Sequence, residues 1–229
     1  MNDFYAMVIT PHPDDAEFGI AGTVAKWTDE GKKVVYVVCT NGDKGTSDPA
    51  MLPQKLTEIR AKEQLAAAKL LGVKEVIFLG YEDQALEDTS EFRKEIVRLI
   101  RKYRPNTVAS SDPYKRYIWH RDHRITGQVV LDAIFPYARD HLSYPELLQQ
   151  GYEPHKIQEL LMWASEQPNY YVDITDTYDI KIAALRCHHS QVGNLPPEWE
   201  QRIRLRYEEM AKDQGCALAE AFHRVEISW

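Results

Sequence analysis

The run FYAMVIT at residues 4–10 is apolar at almost every position, and KKVVYVVCT at 32–40 repeats the pattern. Neither shows the polar alternation of a strand with one wet face, so each predicts a strand buried on both sides, as in a parallel sheet covered by helices. Between and after them the apolar spacing changes to three and four. It predicts helices over 17–30, 54–71 and 90–103, the second ended by Gly72. EVIFLG (75–80) and NTVASS (106–111), the latter after Pro105, add strands, and the order becomes β-α-β-α-β-α-β. Beyond it the pattern predicts a helix at 124–137, an irregular stretch rich in Pro, Gly and Tyr at 138–156, and strands at 157–165 and 169–174. Helices near 177–189 and 197–213 follow, with FHRVEIS (222–228) as a closing edge strand. The expected fold class is α/β: a Rossmann-like, mainly parallel sheet flanked by helices, with an extra C-terminal strand and helix portion. No repeat, low-complexity tract or linker breaks the pattern, so one domain over 1–229 is expected.

Composition narrows the function. A chain of 229 residues with 44% apolar content can bury a core of its own. The net charge is −7, with acidic and basic residues interleaved, which argues against duplex nucleic acid or an anionic membrane surface as partner. A neutral or weakly charged small molecule fits better. The three cysteines are far apart and include no CxxC pair, so neither a disulfide framework nor a cysteine-rich zinc module is expected, and a reducing cytoplasm is the default location. MNDFYAMVIT has no basic lead-in and too short an apolar stretch for a signal peptide, and no later run has the length to cross a bilayer.

Chemistry gathers at strand ends. TPHPDD, TNGDKG and SSDPYKRYIWHRDH all fall at carboxyl ends of expected strands, where ligands bind in this architecture. A hydrolytic zinc site needs three His, Asp or Glu ligands and one open position. His12 and Asp15, three apart at the start of a helix, can converge on one ion. Asp14 then projects differently and can serve as the base that deprotonates water, while the ion offsets the repulsion between the adjacent carboxylates. His120 or His123 of WHRDH supplies the third ligand; the other is free to donate to an oxyanion, with Asp122 available to raise its basicity. A plain charged loop rim is the competing reading, and two such clusters on neighbouring strand ends weigh against it.

Other residues have ordinary explanations beside chemical ones. Glu17 is either a supporting group or an acid suited to the first turn of a helix. The GDKG loop lacks a phosphate-binding pattern and more simply shapes a pocket wall. His189, next to His188 on a helix, is expected at the surface, and His141, His155 and His223 lack partners at ligand spacing. Trp119 and the tyrosines of 137–152 suit either a sugar face or a subunit contact.

PHPDDAEFG followed by Gly22-Thr23, with HRDH further on, resembles the PIG-L/LmbE-like zinc-dependent N-deacetylases. TNGDKGT, the RxxE of Arg60 and Glu63, PNYYVDIT, KIAALRCHHSQ and AEAFHRVE extend the likeness over nearly the whole chain. The resemblance implies His12, Asp15 and His123 as ligands of one Zn2+, and Asp14 as general base. It implies protonated His120, with Asp122 oriented behind it, as the group that stabilises the tetrahedral intermediate. Arg60 and His188 match positions that contact substrate. The implied reaction is removal of an N-acetyl group from an N-acetylglucosamine glycoside or glycoconjugate, and relatives often form trimers or hexamers. Arg121 stands where many relatives have proline, and Asp43 where many have glutamate. Ile118 occupies the place where some relatives have a tyrosine proton donor, which leaves Asp14, after taking up a proton, or His120 to protonate the amine, Asp14 being favoured. Two alternatives remain: an S-conjugate amide or longer acyl amide as substrate, or a metal-free binding module on the same fold.

Overall fold

The computed structural model describes residues 4–228; residues 1–3 and 229, the ends of the expected 1–229 domain, lie outside the described residues. Seven strands form one sheet: β1 (Ala6–Thr10), β2 (Val34–Thr40), β3 (Glu75–Tyr81), β4 (Thr107–Ser111), β5 (Glu159–Trp163), β6 (Tyr170–Asp173) and β7 (Ala219–Glu226). Their order is β3-β2-β1-β4-β5-β7-β6. The first five run parallel, and β7 lies antiparallel between β5 and β6. The helices are α1 (Asp15–Asp29), α2 (Pro53–Leu70), α3 (Ser90–Tyr103), α4 (Arg121–Asp132), α5 (Pro145–Gln149), α6 (Tyr178–Cys187), α7 (His189–Val192) and α8 (Trp199–Met210).

Successive residues of a strand face opposite sides, and here both sides are covered. Met7 and Ile9 of β1, with Val35 and Val37 of β2, pack under α3 and α4 through Phe92, Ile96 and Val129. Ala6 and Val8, with Val34 and Tyr36, pack under α1 and α2 through Ile20, Val24 and Ala67. That is why β1, β2 and β4 are buried at every position and read as unbroken apolar runs, whereas the edge strand β3 alternates with exposed residues.

Two expectations need correction. The C-terminal strand is not an edge strand over 222–228: β7 begins at Ala219, pairs with β6 through Ala219–Phe222 and with β5 through Phe222–Glu226. Its polar second half reaches past β6, which gave that half the look of an edge. The helix expected at 124–137 starts earlier, at Arg121, because the His120 side chain accepts the Asp122 backbone N–H and caps it. It ends at Asp132 in a wide turn over Ala133–Tyr137 that contains Pro136, a residue unable to continue the helical ladder. The irregular stretch after it is held by the buried Arg101, which donates to the carbonyls of Ala138, Tyr137, Asp140 and Ser143 at 2.8–3.2 Å.

A buried charge pair joins α1, α6 and β7. Nζ of Lys181 lies 2.8 Å from Oε1 of Glu220 and donates to the Glu17 carbonyl at 2.7 Å. Glu220 also accepts the backbone N–H groups of Gly22 (2.9 Å) and Thr23 (2.8 Å). Both side chains of the pair are fully buried, so removing one charge strands the other away from water. Glu220→Gln is therefore expected to cost about 3–5 kcal/mol in urea unfolding. Replacing Lys181 by Met in the same chain should recover part of that loss, because the stranded ammonium is then gone.

Candidate active site

In an open parallel sheet the crevice for ligands opens where neighbouring strands send their chains to opposite sides. Here that point lies between β1 and β4, the former leading toward β2 and the latter adjoining β5. The segment that runs from β1 into α1 carries His12, Asp14 and Asp15, and the segment that runs from β4 into α4 carries His120, Asp122 and His123. Asp15 stands in the first turn of α1 and His123 in the first turn of α4, so the two helix starts hold them face to face.

Two imidazole nitrogens approach one carboxylate oxygen. Oδ2 of Asp15 is 2.9 Å from Nδ1 of His12 and 3.2 Å from Nε2 of His123, and it also accepts the His12 backbone N–H at 3.1 Å. Around a zinc ion with bonds of about 2.0–2.1 Å, neighbouring tetrahedral donors lie about 3.3 Å apart, so these separations and this donor chemistry fit the ion. Burial alone would lower the His12 pKa, but Asp122, Asp15 and Asp83 outweigh it and push the imidazole up to about 12. Burial likewise opposes ionisation of Asp15, yet His123 and His12 hold its carboxyl far below the usual range.

Asp14, next to Asp15 in the chain, has a left-handed backbone conformation, φ 104°, uncommon for any residue but glycine. Its backbone N–H donates to Oε1 of Gln64 at 3.0 Å, and its carboxylate lies 3.3 Å from Nη2 of Arg60. Burial and the neighbouring Asp15 push its pKa up to about 7, against the pull of Arg60.

Three placements differ from the sequence expectation. The Asp122 carboxylate does not stand behind His120: its Oδ2 meets Nε2 of His12 at 3.1 Å and accepts the Gln84 backbone N–H at 2.7 Å. The reason is the helix start, which turns the Asp122 side chain inward and leaves only its backbone N–H to His120, at 3.1 Å from Nδ1. Because that Nδ1 is an acceptor, His120 carries its proton on Nε2 and is neutral, and burial with the nearby His12 lowers its pKa further.

Arg60 and His188, expected at the substrate, are turned into the protein. Arg60 donates to the carbonyls of Gly42 and Pro13, and a Cβ at Gly42, where φ is +61°, would collide with its guanidinium. His188 is fully buried, with Nε2 3.1 Å from Oε2 of Glu17. Glu17 in turn accepts from Nε2 of Gln64 at 2.9 Å. The chain His188, Glu17, Gln64, Asp14 therefore braces the loop from behind, and Glu17 belongs to it as well as to the first turn of α1. Glu63 of the RxxE pair accepts from the backbone N–H (2.8 Å) and hydroxyl (2.6 Å) of Ser190 and ties α2 to the His188 segment.

Two features escaped the sequence reading. Asp83, just past β3, brings Oδ1 to 3.1 Å from Nε2 of His12; nothing in YEDQ marks it, since no histidine is near it in sequence. Gln64 is one polar residue among many on α2. The GDKG loop holds the Asp83 turn: the Asp43 carboxylate accepts the Asp83 backbone N–H at 3.0 Å and Nζ of Lys44 donates to the Asp83 carbonyl at 2.7 Å.

A cavity of about 190 Å³ borders Asp15 and His123 and is walled by Trp119, Trp163, Lys115 and Arg206. Trp119 packs edge-on against the His123 ring, centroids 4.4 Å apart, which fixes that ring although its Nδ1 has no partner. Gly19 leaves room for Trp163, whose ring a Cβ would overlap. Tyr137, Tyr144 and Tyr152 pack against the core under α3 and α4 and do not line this cavity. His189 is exposed. Among the described residues no helix is long and apolar enough to cross a membrane.

The chain is similar to several known proteins. A diacetylchitobiose deacetylase of Thermococcus kodakarensis is 39% identical over 199 residues, 86% of this chain and 74% of its own. The solved N,N'-diacetylchitobiose deacetylase of Pyrococcus horikoshii, in complex with its inhibitor MPG, is similar with a TM-score of 0.91 at 33% identity, over 97% of this chain and 84% of that one. A mycothiol S-conjugate amidase of Streptomyces coelicolor is 32% identical over 174 residues, 66% of this chain and 58% of its own. The PIG-L pattern, described as GlcNAc-PI de-N-acetylase, covers residues 7–134, a stretch that includes His12, Asp14, Asp15, His120, Asp122 and His123; this chain belongs to that family.

Proposed function

We propose that the protein hydrolyses the acetamide of an N-acetylglucosamine-containing sugar, releasing acetate and the free amine. The observation that carries this reading is the approach of Oδ2 of Asp15 to Nδ1 of His12 at 2.9 Å and to Nε2 of His123 at 3.2 Å, with Asp14 next to Asp15 in the chain and its carboxylate held on Arg60. A zinc ion held by His12, Asp15 and His123 would polarise the acetyl carbonyl and acidify water.

The remaining work falls to side chains. Asp14 takes a proton from the attacking water as the new C–O bond forms, and returns it to the nitrogen as the C–N bond breaks. Arg60 and Gln64 fix its position. His120, its side chain 38% exposed, presents Nε2–H to the carbonyl oxygen as negative charge develops there, while its Nδ1 stays anchored on the Asp122 N–H. Asp122 accepts from Nε2 of His12, which keeps Nδ1 of that ring free as a donor. No tyrosine is needed as proton donor.

The cavity of about 190 Å³ is smaller than a typical whole-ligand pocket of about 300–1,000 Å³, so it suits one sugar ring with its acetamide, the remainder of the glycoside lying outside. Trp119 offers the ring an apolar wall. The archaeal relatives make N,N'-diacetylchitobiose the first substrate to test. The zinc-loaded protein should release acetate from it at least about 10-fold faster than from free N-acetylglucosamine, since binding to the remote sugar helps position the reacting one. The S-conjugate amide suggested by the Streptomyces relative is the second reading. Product analysis separates the two, and a zinc-loaded protein that hydrolyses neither amide overturns both.

A further inference from the structure

A second cavity, of about 310 Å³, opens on the α4 side of the sheet and shares no lining residue with the one beside Asp15 and His123. Its floor is apolar. Leu131 of α4, Leu160 and Met162 of β5 and Val225 of β7 form it, with Val225 opposite Leu160 and His223 opposite Met162 across the β5–β7 pairing. Asp112, just past the end of β4 and only 8% exposed, borders the same space. Its Oδ1 accepts the Tyr114 backbone N–H at 2.8 Å, while Oδ2 meets no donor and no cation among the described residues. His223 donates from Nδ1 to the Gln167 carbonyl at 2.8 Å, so on the neutral ring Nε2 is an acceptor. The other two charged groups at the rim, Arg116 and Glu166, face each other at 3.6 Å.

A carboxylate oxygen drawn away from water without a donor is costly, and an ammonium removes that cost through a charge-assisted hydrogen bond. The cavity therefore calls for an occupant with a positive charge at Asp112, a second donor for His223 and an apolar face for the floor. Its volume stands at the lower end of the range of about 300–1,000 Å³ for small-molecule sites, which suits a single ring. A protonated hexosamine has all of these: an ammonium, hydroxyl donors and a ring face of C–H groups. We infer that this cavity binds a protonated amino sugar through Asp112 and His223. The choice of a sugar among compact ammonium compounds rests on the proposed deacetylase reading, whose product is such an amine; the need for charge and donors rests on the cavity alone.

Calorimetric titration of glucosamine into zinc-loaded full-length protein at about pH 6, where the amine is protonated, tests the site. Wild type should bind glucosamine saturably, and glucose, which lacks the ammonium, at least about 10-fold more weakly. Asp112→Asn keeps the oxygen that accepts the Tyr114 N–H and loses only the charge; Val225→Trp fills the cavity from a strand position that is 37% exposed. Each should weaken glucosamine binding at least about 10-fold, with zinc content unchanged because neither touches His12, Asp15 or His123. No saturable binding in wild type overturns the site, as does binding undiminished in both variants, which would put the sugar elsewhere. Loss in Val225→Trp alone overturns the part given to Asp112, and loss in Asp112→Asn alone overturns the cavity as the place. Glucose bound as tightly as glucosamine overturns the ammonium, and cyclohexylamine bound as tightly overturns the sugar. Glucosamine binding that depends on both residues, in a protein that releases no acetate from any N-acetylglucosamine glycoside, supports the site and sinks the deacetylase reading instead.

Discussion

Asp14→Asn should keep its zinc and lose about 10²–10⁴-fold in acetate release, the range that a positioned general base contributes. Asparagine has the shape of aspartate, and the backbone N–H bond to Gln64 at 3.0 Å does not depend on the side chain. The three donors of His12, Asp15 and His123 do not include Asp14, so metal content by elemental analysis should match wild type. The amide cannot take up a proton from water. Stability provides an independent control. Burial and Asp15 push the Asp14 carboxyl up to about 7, so the folded chain binds that proton more tightly than the unfolded chain. Folding therefore loses stability as pH rises from about 4, the ordinary aspartate value, through 7. An asparagine is free of this cost, so metal-free Asp14→Asn should be at least as stable as wild type in urea at pH 8. Loss of hydrolysis without loss of metal or stability is the signature of a base; full turnover in the variant would remove Asp14 from the mechanism.

The physical asymmetry between local and distant contacts decides what could be read from the chain. The central strands were legible because burial on both faces leaves a continuous apolar run, and His12 with Asp15 was legible because a separation of three residues at a helix start is itself geometry. Their meeting with His123 spans more than a hundred positions, and no local pattern encodes it; the family resemblance supplied it. The partner of the Asp122 carboxylate was misassigned for the same reason. Sequence adjacency suggested His120, whereas the first turn of α4 aims that carboxylate at His12 and offers His120 a backbone N–H. Asp83 and Gln64 became visible only when β3 and α2 took their places beside β2 and α1. Several motif positions proved to be parts of one buried polar frame. Gly22, Thr23, Lys181 and Glu220 meet behind α1, and His188, Glu17 and Gln64 continue that frame to the Asp14 loop.

Asp15→Ala should have the opposite signature to Asp14→Asn: zinc retention fails first, and hydrolysis fails with it. Oδ2 of Asp15 is the one atom in contact with both Nδ1 of His12 and Nε2 of His123, and it supplies the only negative charge among the three donors. Residues that merely orient zinc ligands are worth about 10–100-fold in affinity, so loss of a charged ligand should weaken retention by more than about 100-fold. The metal-free fold should survive, because Nε2 of His12 keeps Asp122 and Asp83, each at 3.1 Å, and the ring is not left as an unpaired buried cation. Competition with a chelator measures the affinity, and circular dichroism confirms that the chain is folded. Excess zinc should then restore part of the hydrolysis to Asp15→Ala and none to Asp14→Asn, since the first lacks grip on the ion and the second lacks the base. If Asp15→Ala resisted the chelator as well as wild type does, the ion would have to be held by donors other than these three, and the place of Asp14 beside them would lose its meaning.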